Sequence, residues 1–435
     1  MARVQMKCLV VNIMPHGPAY HFAPHVRPDV AWEKPGGTWV GFWPREWPDL
    51  LGEAVLKCSQ DYEWEVWQPD LRADQVYSRT LETGVTHRLF PATEQVYRPG
   101  LRSQAGMYSE AMLARLAEAS DLPMILHLHG FRIPFYSEAI ARYGVNKQFP
   151  IFIIGHGMSV VPMSEMRGLH RPLTYACLLF EQHKLVRQLR NVDVISAQSE
   201  FARREVQKVF RGRTEILTMG CDFEFWTPVP SVECKHSLRN SMGLSPSKTV
   251  FLSTGNFVAL KQFDKLIRVV HQLSAREDFV LLIAGQGDQA NTSQLQALCA
   301  PLVERGKAIL HPYVTGERLR ELYWASDLYV STSTGEGASV SVMKAMACGL
   351  PVLSTPVGET SERMRRYGAG KFVSVDRYDE WPVAIEEILD KGMPPALDRA
   401  IAQEAYGWPQ VARRFISVYE DLYKEYFVSQ GGSHV

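Results

Sequence analysis

The sequence lacks the features of several large classes of protein. Its seven cysteines are scattered and odd in number, and no two of them have C-x-x-C spacing. Neither a disulfide framework nor a zinc site is expected, and a reducing cytoplasm is the predicted location. No run of about 18 apolar residues occurs, so no membrane-spanning helix is expected. The short apolar run that stops at Pro15 predicts a buried first strand rather than a signal peptide.

Net charge is also lacking. Lys plus Arg and Asp plus Glu both number 47, so the formal charge is zero. This balance argues against a protein that holds nucleic acid by bulk positive charge. No D-x-D pair occurs either, which leaves a divalent cation without an obvious pair of carboxylate ligands. The composition is compatible with a small neutral or anionic ligand in a local site.

What is present is a long pattern of alternating strands and helices. A chain of 435 residues with 46% apolar content suits two domains of roughly 200 residues each. Strand–helix alternation predicts parallel sheets in doubly wound α/β layers. The predicted strands are Gln5–Ile13, Trp64–Gln68, Met124–His129, Ile151–Gly155, Asp193–Ala197, Glu215–Thr218, Thr249–Ser253, Phe279–Ala284, Ala308–His311, Leu328–Ser331, Pro351–Ser354 and Gly370–Val375.

The polar segment Cys221–Lys248, rich in Ser and Pro, is predicted to link two similar domains. We place a Rossmann-like domain at 1–225, a second at 245–407, and a closing segment at 408–435 that contains one long amphipathic helix. Open α/β sheets bind ligands at the carboxyl ends of their strands. The functional residues are therefore expected in loops that directly follow strands, facing a cleft.

The first candidate site is TSTGEGASVSVMKAMACGLPV, from Thr332 to Val352. Glu336 stands between two glycines, which allow close backbone approach, and just ahead of a predicted helix whose N-terminus suits an anion. Lys344 follows eight residues later, about 12 Å along a helix at 1.5 Å per residue. The two side chains could line opposite ends of one extended ligand. Equally, Glu336 could cap the helix and Lys344 could be solvated.

The second candidate is Ser253–Val270, again a strand, a glycine-containing loop and a helix. Lys261 falls where the helix is expected to begin, and there it opposes the helix dipole unless it serves an anion such as phosphate. An ordinary exposed lysine is an equal alternative. A third segment, FVLLIAGQGDQ, carries Gly285 and Gly287, but G-x-G alone is weak, and a tight turn is favoured.

The N-terminal half offers weaker signals. Gly36–Gly37 precede a predicted helix, and His127 and His129 lie at a strand end, as does His156 between glycines. The H-x-H spacing has no accompanying carboxylate or cysteine cluster, so metal binding is disfavoured. His156 is predicted to donate a hydrogen bond or to be structural. The tryptophans between Trp32 and Trp47 are predicted to fill the core.

Together these pieces resemble the GT-B-fold retaining glycosyltransferases, specifically glycosyltransferase family 4, also called group 1. The resemblance covers almost the whole chain, and its C-terminal series is specific as an ordered set. The matching pieces are PGGT, HLHG, IIGHG, VDVISAQSEFARREV, ILTMGCDFEFWTP, STGNFVALKQFDKLI, LLIAGQGD, VSTSTGEGASVSVMKAMACGLPVLSTPVGETSE and GWPQVARRFISVYEDLY.

The resemblance implies an enzyme that transfers a sugar from a nucleotide diphosphate donor to an acceptor with retention of anomeric configuration. The acceptor would be a glycan, a lipid-linked sugar or a small molecule, and no metal or other cofactor is expected. The C-terminal domain would hold the donor, the N-terminal domain the acceptor, and the last helix would cross back to the N-terminal domain.

The resemblance also implies individual roles. Glu336 would contact the donor sugar, Lys261 would neutralise the diphosphate, and His156 would lie near the transferred sugar, so these three form the predicted catalytic set. The predicted acceptor-binding residues are Gly36, Gly37 and His129. The predicted donor-binding residues are Gly255, Asn256, Lys261, Gly285, Gly287, Gly335, Glu336, Gly337, Ala338, Ser339, Lys344 and Glu362.

Two positions depart from the family pattern. Lys344 stands where the family has its second glutamate, and Asn256 stands where a basic residue is usual. Lys344 is hypothesised to alter how the nucleotide is held, by pairing with an acid or by meeting a phosphate. These departures keep a non-catalytic GT-B protein, which binds a partner or a nucleotide, as the alternative function. A GT-B phosphorylase or epimerase is the other alternative.

Peripheral membrane contact is a further hypothesis. The segments His183–Arg190 and Phe201–Arg213 are basic and have helical periodicity, so they could meet anionic lipids. A solvated charged face explains the same pattern equally well.

Overall fold

A computed structural model of the chain describes residues 7–14, 30–34, 39–41, 47–95, 106–118, 123–130, 138–144, 148–155, 183 and 186–429. The chain divides into two compact units. Unit 1 comprises Met1–Thr218 and Trp408–Val435, and unit 2 comprises Met219–Gly407. Each unit is an α/β structure built on a parallel sheet.

The main sheet of unit 1 has eight described strands in the order β12-β11-β10-β9-β1-β4-β6-β5, and all neighbours are parallel except β5 and β6. Two further antiparallel pairs, β2–β3 and β7–β8, form separate two-stranded sheets. The strands are β1 Cys8–Ile13, β2 Ala31–Glu33, β3 Trp39–Gly41, β4 Tyr62–Asp70, β5 Tyr77–Thr80, β6 Thr86–Pro91, β7 Thr93–Gln95, β8 Gly106–Tyr108, β9 Met124–His129, β10 Ile151–Gly155, β11 Val194–Ala197 and β12 Arg213–Ile216. The helices of this part of unit 1 are α1 Trp47–Cys58, α2 Glu110–Ala117 and α3 Glu200–Gln207.

Unit 2 contains a six-stranded, fully parallel sheet in the order β15-β14-β13-β16-β17-β18. Its strands are β13 Thr249–Asn256, β14 Phe279–Gln286, β15 Ala308–His311, β16 Leu328–Ser331, β17 Val352–Ser354 and β18 Lys371–Phe372. Its helices are α4 Val232–Ser241, α5 Phe263–Gln272, α6 Gln289–Glu304, α7 Gly316–Ala325, α8 Val340–Ala347, α9 Gly358–Arg366, α10 Glu380–Lys391 and α11 Arg399–Tyr406.

Both faces of the unit 2 sheet are covered. On β13, Val250 and Leu252 pack into one buried cluster, whereas Phe251 between them packs into another on the opposite face. Successive side chains of a strand point to opposite faces, so continuous apolar runs are what a strand covered on both sides requires. The doubly wound arrangement predicted from those runs is confirmed.

The last helix, α12 Trp408–Tyr423, belongs to unit 1 although it follows unit 2 in the chain. Its buried residues Val411, Phe415 and Tyr419 join the cluster formed by β1, β4 and β10. Each recurs four residues after the one before, so they form one apolar face. This packing confirms the predicted return of the final helix to the N-terminal domain.

The structure differs from the sequence expectations in two places. The glycine pair at 36–37 lies outside the described residues, and strand β3, which was not predicted, lies between it and the helix expected after it. The helix begins only at Trp47. The predicted linker Cys221–Lys248 lies in unit 2 and contains α4, which Ser231 caps by accepting a hydrogen bond from the Cys234 N–H. Helix α4 has no apolar periodicity that would predict it, because among its ten residues only Arg239 is buried.

Candidate functional site

The candidate site lies at the carboxyl edge of the unit 2 sheet. Strands β13, β14 and β16 are parallel and end there, at Asn256, Gln286 and Ser331. The loops that follow β13 and β16 carry the two candidate charged residues. Both candidate segments therefore follow strands of one sheet and lie at the same edge, as expected for the functional residues of an open α/β sheet.

Lys261 and Glu336 form an ion pair at this edge. The Lys261 Nζ lies 2.5 Å from Glu336 Oε1, and the Ser333 hydroxyl donates to the same oxygen at 2.6 Å. The other carboxylate oxygen, Oε2, accepts no hydrogen bond from the described residues. The side chains retain 22% and 12% of their exposure, so the pair is partly buried but reachable from solvent.

Hydrogen bonds join the two loops to each other. The Thr332 hydroxyl donates to the Lys261 carbonyl at 2.9 Å, and the Thr334 N–H donates to the Leu260 carbonyl at the same distance. Lys261 ends a short 3-10 turn, Ala259–Lys261, just ahead of α5. These bonds fix the backbones on which the ion pair stands.

The glycines of this edge are explained first by packing. Gly255 of β13 pairs with Gly285 of β14, and a Cβ added to Gly285 would lie 2.0 Å from the Gly255 carbonyl oxygen. A Cβ on Gly287 would lie 2.9 Å from the Phe257 carbonyl oxygen. The two glycines of the G-x-G segment thus allow close contact with the end of β13 and with Phe257 just after it. Asn256, at the end of that strand, is exposed.

The loop after β16 is held from the other side by the start of α9. The Glu359 N–H donates to the Gly337 carbonyl at 2.8 Å, and Gly358, with φ of +79°, lies against the Glu336 Cβ. A Cβ on Gly335 would be 3.4 Å from a Leu260 methyl. Glu336 is therefore confined among glycines on both sides.

Helix α8 begins after this loop. Ala338 packs into the core and Ser339 is buried, with its hydroxyl 3.2 Å from that of Ser341. A ligand could therefore meet Ala338 through its backbone but not through its side chain. Glu336 accepts from Lys261 and Ser333 and from no N–H group of α8, so the structure does not show it as a helix cap.

Lys344 lies in the last turn of α8, with its Nζ 4.8 Å from the centroid of the Trp226 ring. Trp226 packs in turn against Tyr323, with a centroid distance of 5.4 Å. Two thiols, Cys221 and Cys348, are close enough for the lysine charge to act on them, but burial is the larger effect and raises the pKa of the Cys348 thiol to about 12. The lysine thus faces an aromatic ring.

A carboxylate that the sequence analysis overlooked lies one turn before Glu362. Glu362 is exposed on α9, whereas Glu359 is buried and accepts from Arg363 at 2.6 Å and from the Tyr406 hydroxyl. Burial is the main cause that raises the pKa of Tyr406, and the Glu359 charge adds to it. The Glu359–Arg363 spacing of four residues is the signal that could have identified the pair.

In unit 1 the structure places His129 in a buried position. Its Nε2 forms a hydrogen bond with Asn12 Oδ1, and the Trp47 ring covers it at a centroid distance of 4.3 Å. Neighbouring His127 is hydrogen-bonded through Nδ1 to the hydroxyl of Tyr419 on α12, at 2.7 Å. The other predicted residues of this unit, Gly36, Gly37 and His156, lie outside the described residues.

Across the described ranges, no group of three or more His, Cys, Asp or Glu side chains is arranged to hold a metal ion. No helix of the described residues is long and apolar enough to cross a membrane. On α3, Arg203 and Arg204 both pair with Glu200, at 2.9 and 3.5 Å, so its basic face is partly neutralised. Phe201 on the same helix is 68% exposed.

Comparisons with known proteins match the C-terminal part of the chain to a family. Residues 235–408 match the family described as Glycosyl transferases group 1. A D-inositol 3-phosphate glycosyltransferase of Rhodococcus opacus is 27% identical over 233 residues, which cover 51% of each protein. The chain thus spans about half the length of the curated relatives it matches.

Solved structures match nearly the whole chain. Sucrose-phosphate synthase from Thermosynechococcus elongatus superposes with a TM-score of 0.70 and 17% identity, over 96% of this chain and 100% of that one. Anabaena HepE in complex with UDP-glucose superposes with a TM-score of 0.65 and 14% identity, over 95% and 99% of the two chains. The GT-B fold expected from the sequence is therefore confirmed, and residues 235–408 match the family model of the group 1 glycosyl transferases.

Proposed function

We propose that this protein is a retaining glycosyltransferase that moves a sugar from a nucleoside diphosphate sugar to a hydroxyl-bearing acceptor. The observation that carries the proposal is the Lys261–Glu336 pair at the carboxyl edge of the unit 2 sheet. It presents a cation for a diphosphate and an open carboxylate oxygen for sugar hydroxyls. The group 1 match and the UDP-glucose complex of a protein with the same fold support this assignment.

In this reaction the bond between the anomeric carbon and the diphosphate oxygen breaks, and the acceptor oxygen bonds to the same carbon. The leaving diphosphate gains negative charge as the bond breaks. A positioned ammonium stabilises such a charge more in the transition state than in the ground state. Lys261 would do this, while Glu336 Oε2 accepts from sugar hydroxyls and orients the ring.

For retention we propose departure of the diphosphate and attack by the acceptor on one face of the sugar. The acceptor proton would then pass to a diphosphate oxygen. The Glu336 carboxylate is bonded to Lys261 and Ser333. Such a carboxylate suits hydrogen bonding better than nucleophilic attack. The anomeric configuration of the product, read by NMR, tests this step.

We propose further that Lys261 and the start of helix α5 serve in place of a metal ion. A transferase assay with and without EDTA tests this, and unchanged turnover is expected. The acceptor is proposed to be a glycan, a lipid-linked sugar or a small metabolite. A cytoplasmic location is proposed from the scattered, unpaired pattern of the cysteines in the sequence, and peripheral membrane contact is proposed from the basic segments. Sedimentation with vesicles that contain anionic lipid tests the membrane contact.

The first experiment is a thermal-shift panel with UDP, GDP, ADP, CDP and dTDP and their common sugars. A ligand at 100 times its Kd adds about 2.7 kcal/mol to the free energy of unfolding. We expect one nucleotide to stabilise the wild type and Lys261→Gln to weaken that response. Lys344→Glu tests the departure in α8, since an unchanged response would show that Lys344 takes no part in donor binding.

A second candidate function is a non-catalytic GT-B protein that binds a nucleotide or a partner. The observation in its favour is that Lys344 lies over Trp226 and that Asn256, where the family has a cation, is exposed. Measured donor turnover would exclude it. Release of sugar that depends on phosphate would instead indicate a phosphorylase, and donor interconversion without acceptor an epimerase.

A further inference from the structure

The Lys261–Glu336 ion pair affects which ligands the site can bind. Within the described residues, Lys261 Nζ has a single hydrogen-bond partner, Glu336 Oε1. A diphosphate that binds the ammonium therefore competes with this carboxylate. The carboxylate is 12% exposed, and without Lys261 it keeps one neutral donor, Ser333.

Loop movement does not relieve this competition. The Thr332 and Thr334 bonds hold the two loops together, and the packing of Gly358 on Glu336 restricts retreat of the carboxylate. The exchange of partners must then occur by side-chain rotation alone. A partly buried carboxylate that loses its counter-ion is destabilised unless new donors replace it.

Sugar hydroxyls on the same ligand are such donors. A nucleoside diphosphate sugar offers oxygens to Lys261 and hydroxyls to Glu336, so both groups are satisfied after the exchange. A nucleoside diphosphate satisfies Lys261 and leaves Glu336 without compensation. Discrimination is a difference between two affinities, and an internal competitor lowers one of them.

We propose that the Lys261–Glu336 ion pair makes this site select an intact nucleoside diphosphate sugar over the nucleoside diphosphate. The proposal rests on the proposed function and extends it. Once the sugar has left, the diphosphate product has lost the sugar hydroxyls that donate to Glu336. The ion pair then re-forms, Lys261 is withdrawn from the phosphates, and release of the product is accelerated.

The test is Glu336→Gln, which removes the charge and preserves the shape of the side chain. Titration calorimetry would measure Kd for UDP, GDP and ADP and for their glucose derivatives, on folded protein checked by circular dichroism. For the nucleotide that binds, we expect the diphosphate to bind about tenfold more tightly to the variant, the factor that corresponds to one charge-assisted hydrogen bond. The nucleotide sugar should bind no more tightly, so the ratio of the two Kd values falls about tenfold.

Two further variants separate partner exchange from simple repulsion between Glu336 and phosphate. In a Lys261→Gln background, Glu336→Gln should change the diphosphate Kd less than twofold, because the competition acts through Lys261. A tenfold gain that persists there would overturn the proposal. Glu387→Gln is the matched control, since Glu387 is an ion-paired carboxylate of unit 2 that bonds to Lys371 and Lys391 instead. It should leave both Kd values unchanged.

The remaining outcomes are also decisive. If the wild type binds a nucleotide and Glu336→Gln leaves the ratio unchanged, Lys261 binds phosphate without releasing Glu336, and the inference is wrong while the proposed function stands. If no nucleotide or nucleotide sugar binds either protein, the proposed function is wrong and the inference fails with it.

Discussion

The carboxyl edges of the two parallel sheets carry polar residues in opposite environments. In unit 1, Asn12 of β1, Asp70 of β4 and His129 of β9 are all buried, and Trp47 covers the histidine. In unit 2 the strand end at Asn256 is exposed, and the charged pair that follows is reachable from solvent. One architecture thus places polar groups at both edges, buried in one and accessible in the other.

The difference shows that polar residues at a strand end do not by themselves indicate a ligand site. A buried polar group must find its partners inside the protein, so it contributes to fold specificity and to the dependence of stability on pH. A partly exposed charged pair is free to exchange partners with a ligand. The comparison therefore predicts large stability effects at the edge of unit 1 and ligand effects at that of unit 2.

The largest effect is expected at Asp70, the last residue of β4. Its side chain accepts from the Arg72 N–H at 2.8 Å, and burial raises the pKa of this carboxyl to about 7. The unfolded value is about 3.9. The native state therefore binds the proton more tightly, and the resulting stability is complete below about pH 4 and lost as the pH rises through 7. The loss amounts to about 4 kcal/mol.

Urea unfolding between pH 4 and 8 checks this prediction. Asp70→Asn should flatten the pH profile of the free energy of unfolding, because the amide does not titrate. The exposed Asp376, changed to Asn, is the control and should leave the profile parallel to that of the wild type. Parallel profiles for Asp70→Asn and wild type would show that titration of Asp70 does not change the free energy of unfolding.

The next largest effect is expected at Gly285, where the edge of unit 2 is tightly packed. Gly285→Ala places a methyl group 2.0 Å from the Gly255 carbonyl oxygen, so strands β13 and β14 must shift. We expect a loss of about 3 kcal/mol in the free energy of unfolding. Gly306→Ala is the control, because Gly306 has φ of +63° and open space around it, and it should lose about 1 kcal/mol. Equal losses would contradict the packing explanation.

The sequence predicted the described strands well because continuous apolar runs demand cover on both faces. Each of the twelve predicted strands overlaps an observed one. Six observed strands were missed, namely β2, β3, β5, β6, β7 and β8. Strand β5, for example, carries mostly exposed polar residues and gives no apolar signal. Helix α4 was missed for the same reason.

The site was predictable in its residues but not in its contacts. Glu336 and Lys261 could be singled out because each follows a strand, yet no spacing rule reveals that residues 75 positions apart share a hydrogen bond. The position of Lys344 over Trp226 depends on how the chain after Met219 packs on α8, a tertiary contact without a local signal. The burial of Glu359 rather than Glu362 likewise follows from which face of α9 meets Tyr406.

A smaller effect is expected where α12 closes unit 1. Tyr419→Phe removes the hydroxyl that meets His127 Nδ1 at 2.7 Å in a fully buried position. A buried hydrogen bond that loses one partner costs about 2 kcal/mol. Tyr423→Phe on the same helix is the control, because that ring packs against Phe427 and its hydroxyl makes no hydrogen bond to the described residues. A loss as large from Tyr423→Phe would mean that ring packing, rather than the His127 bond, holds the helix.

The smallest effect concerns Gln262, which directly follows Lys261. With φ of +52° it is the one non-glycine residue in the left-handed region among those described. Gln262→Gly relieves a cost of roughly 1–2 kcal/mol and adds entropy to the unfolded chain, so we expect a net gain of about 0.5 kcal/mol. Gln272→Gly, at the other end of α5, has no such strain to relieve and should lose about 0.5 kcal/mol. Urea unfolding compares the two variants, and a loss in both would show that the backbone before α5 is not strained. A gain at Gln262 would locate backbone strain beside the partly buried ion pair of unit 2, at the edge where the ligand effects are expected.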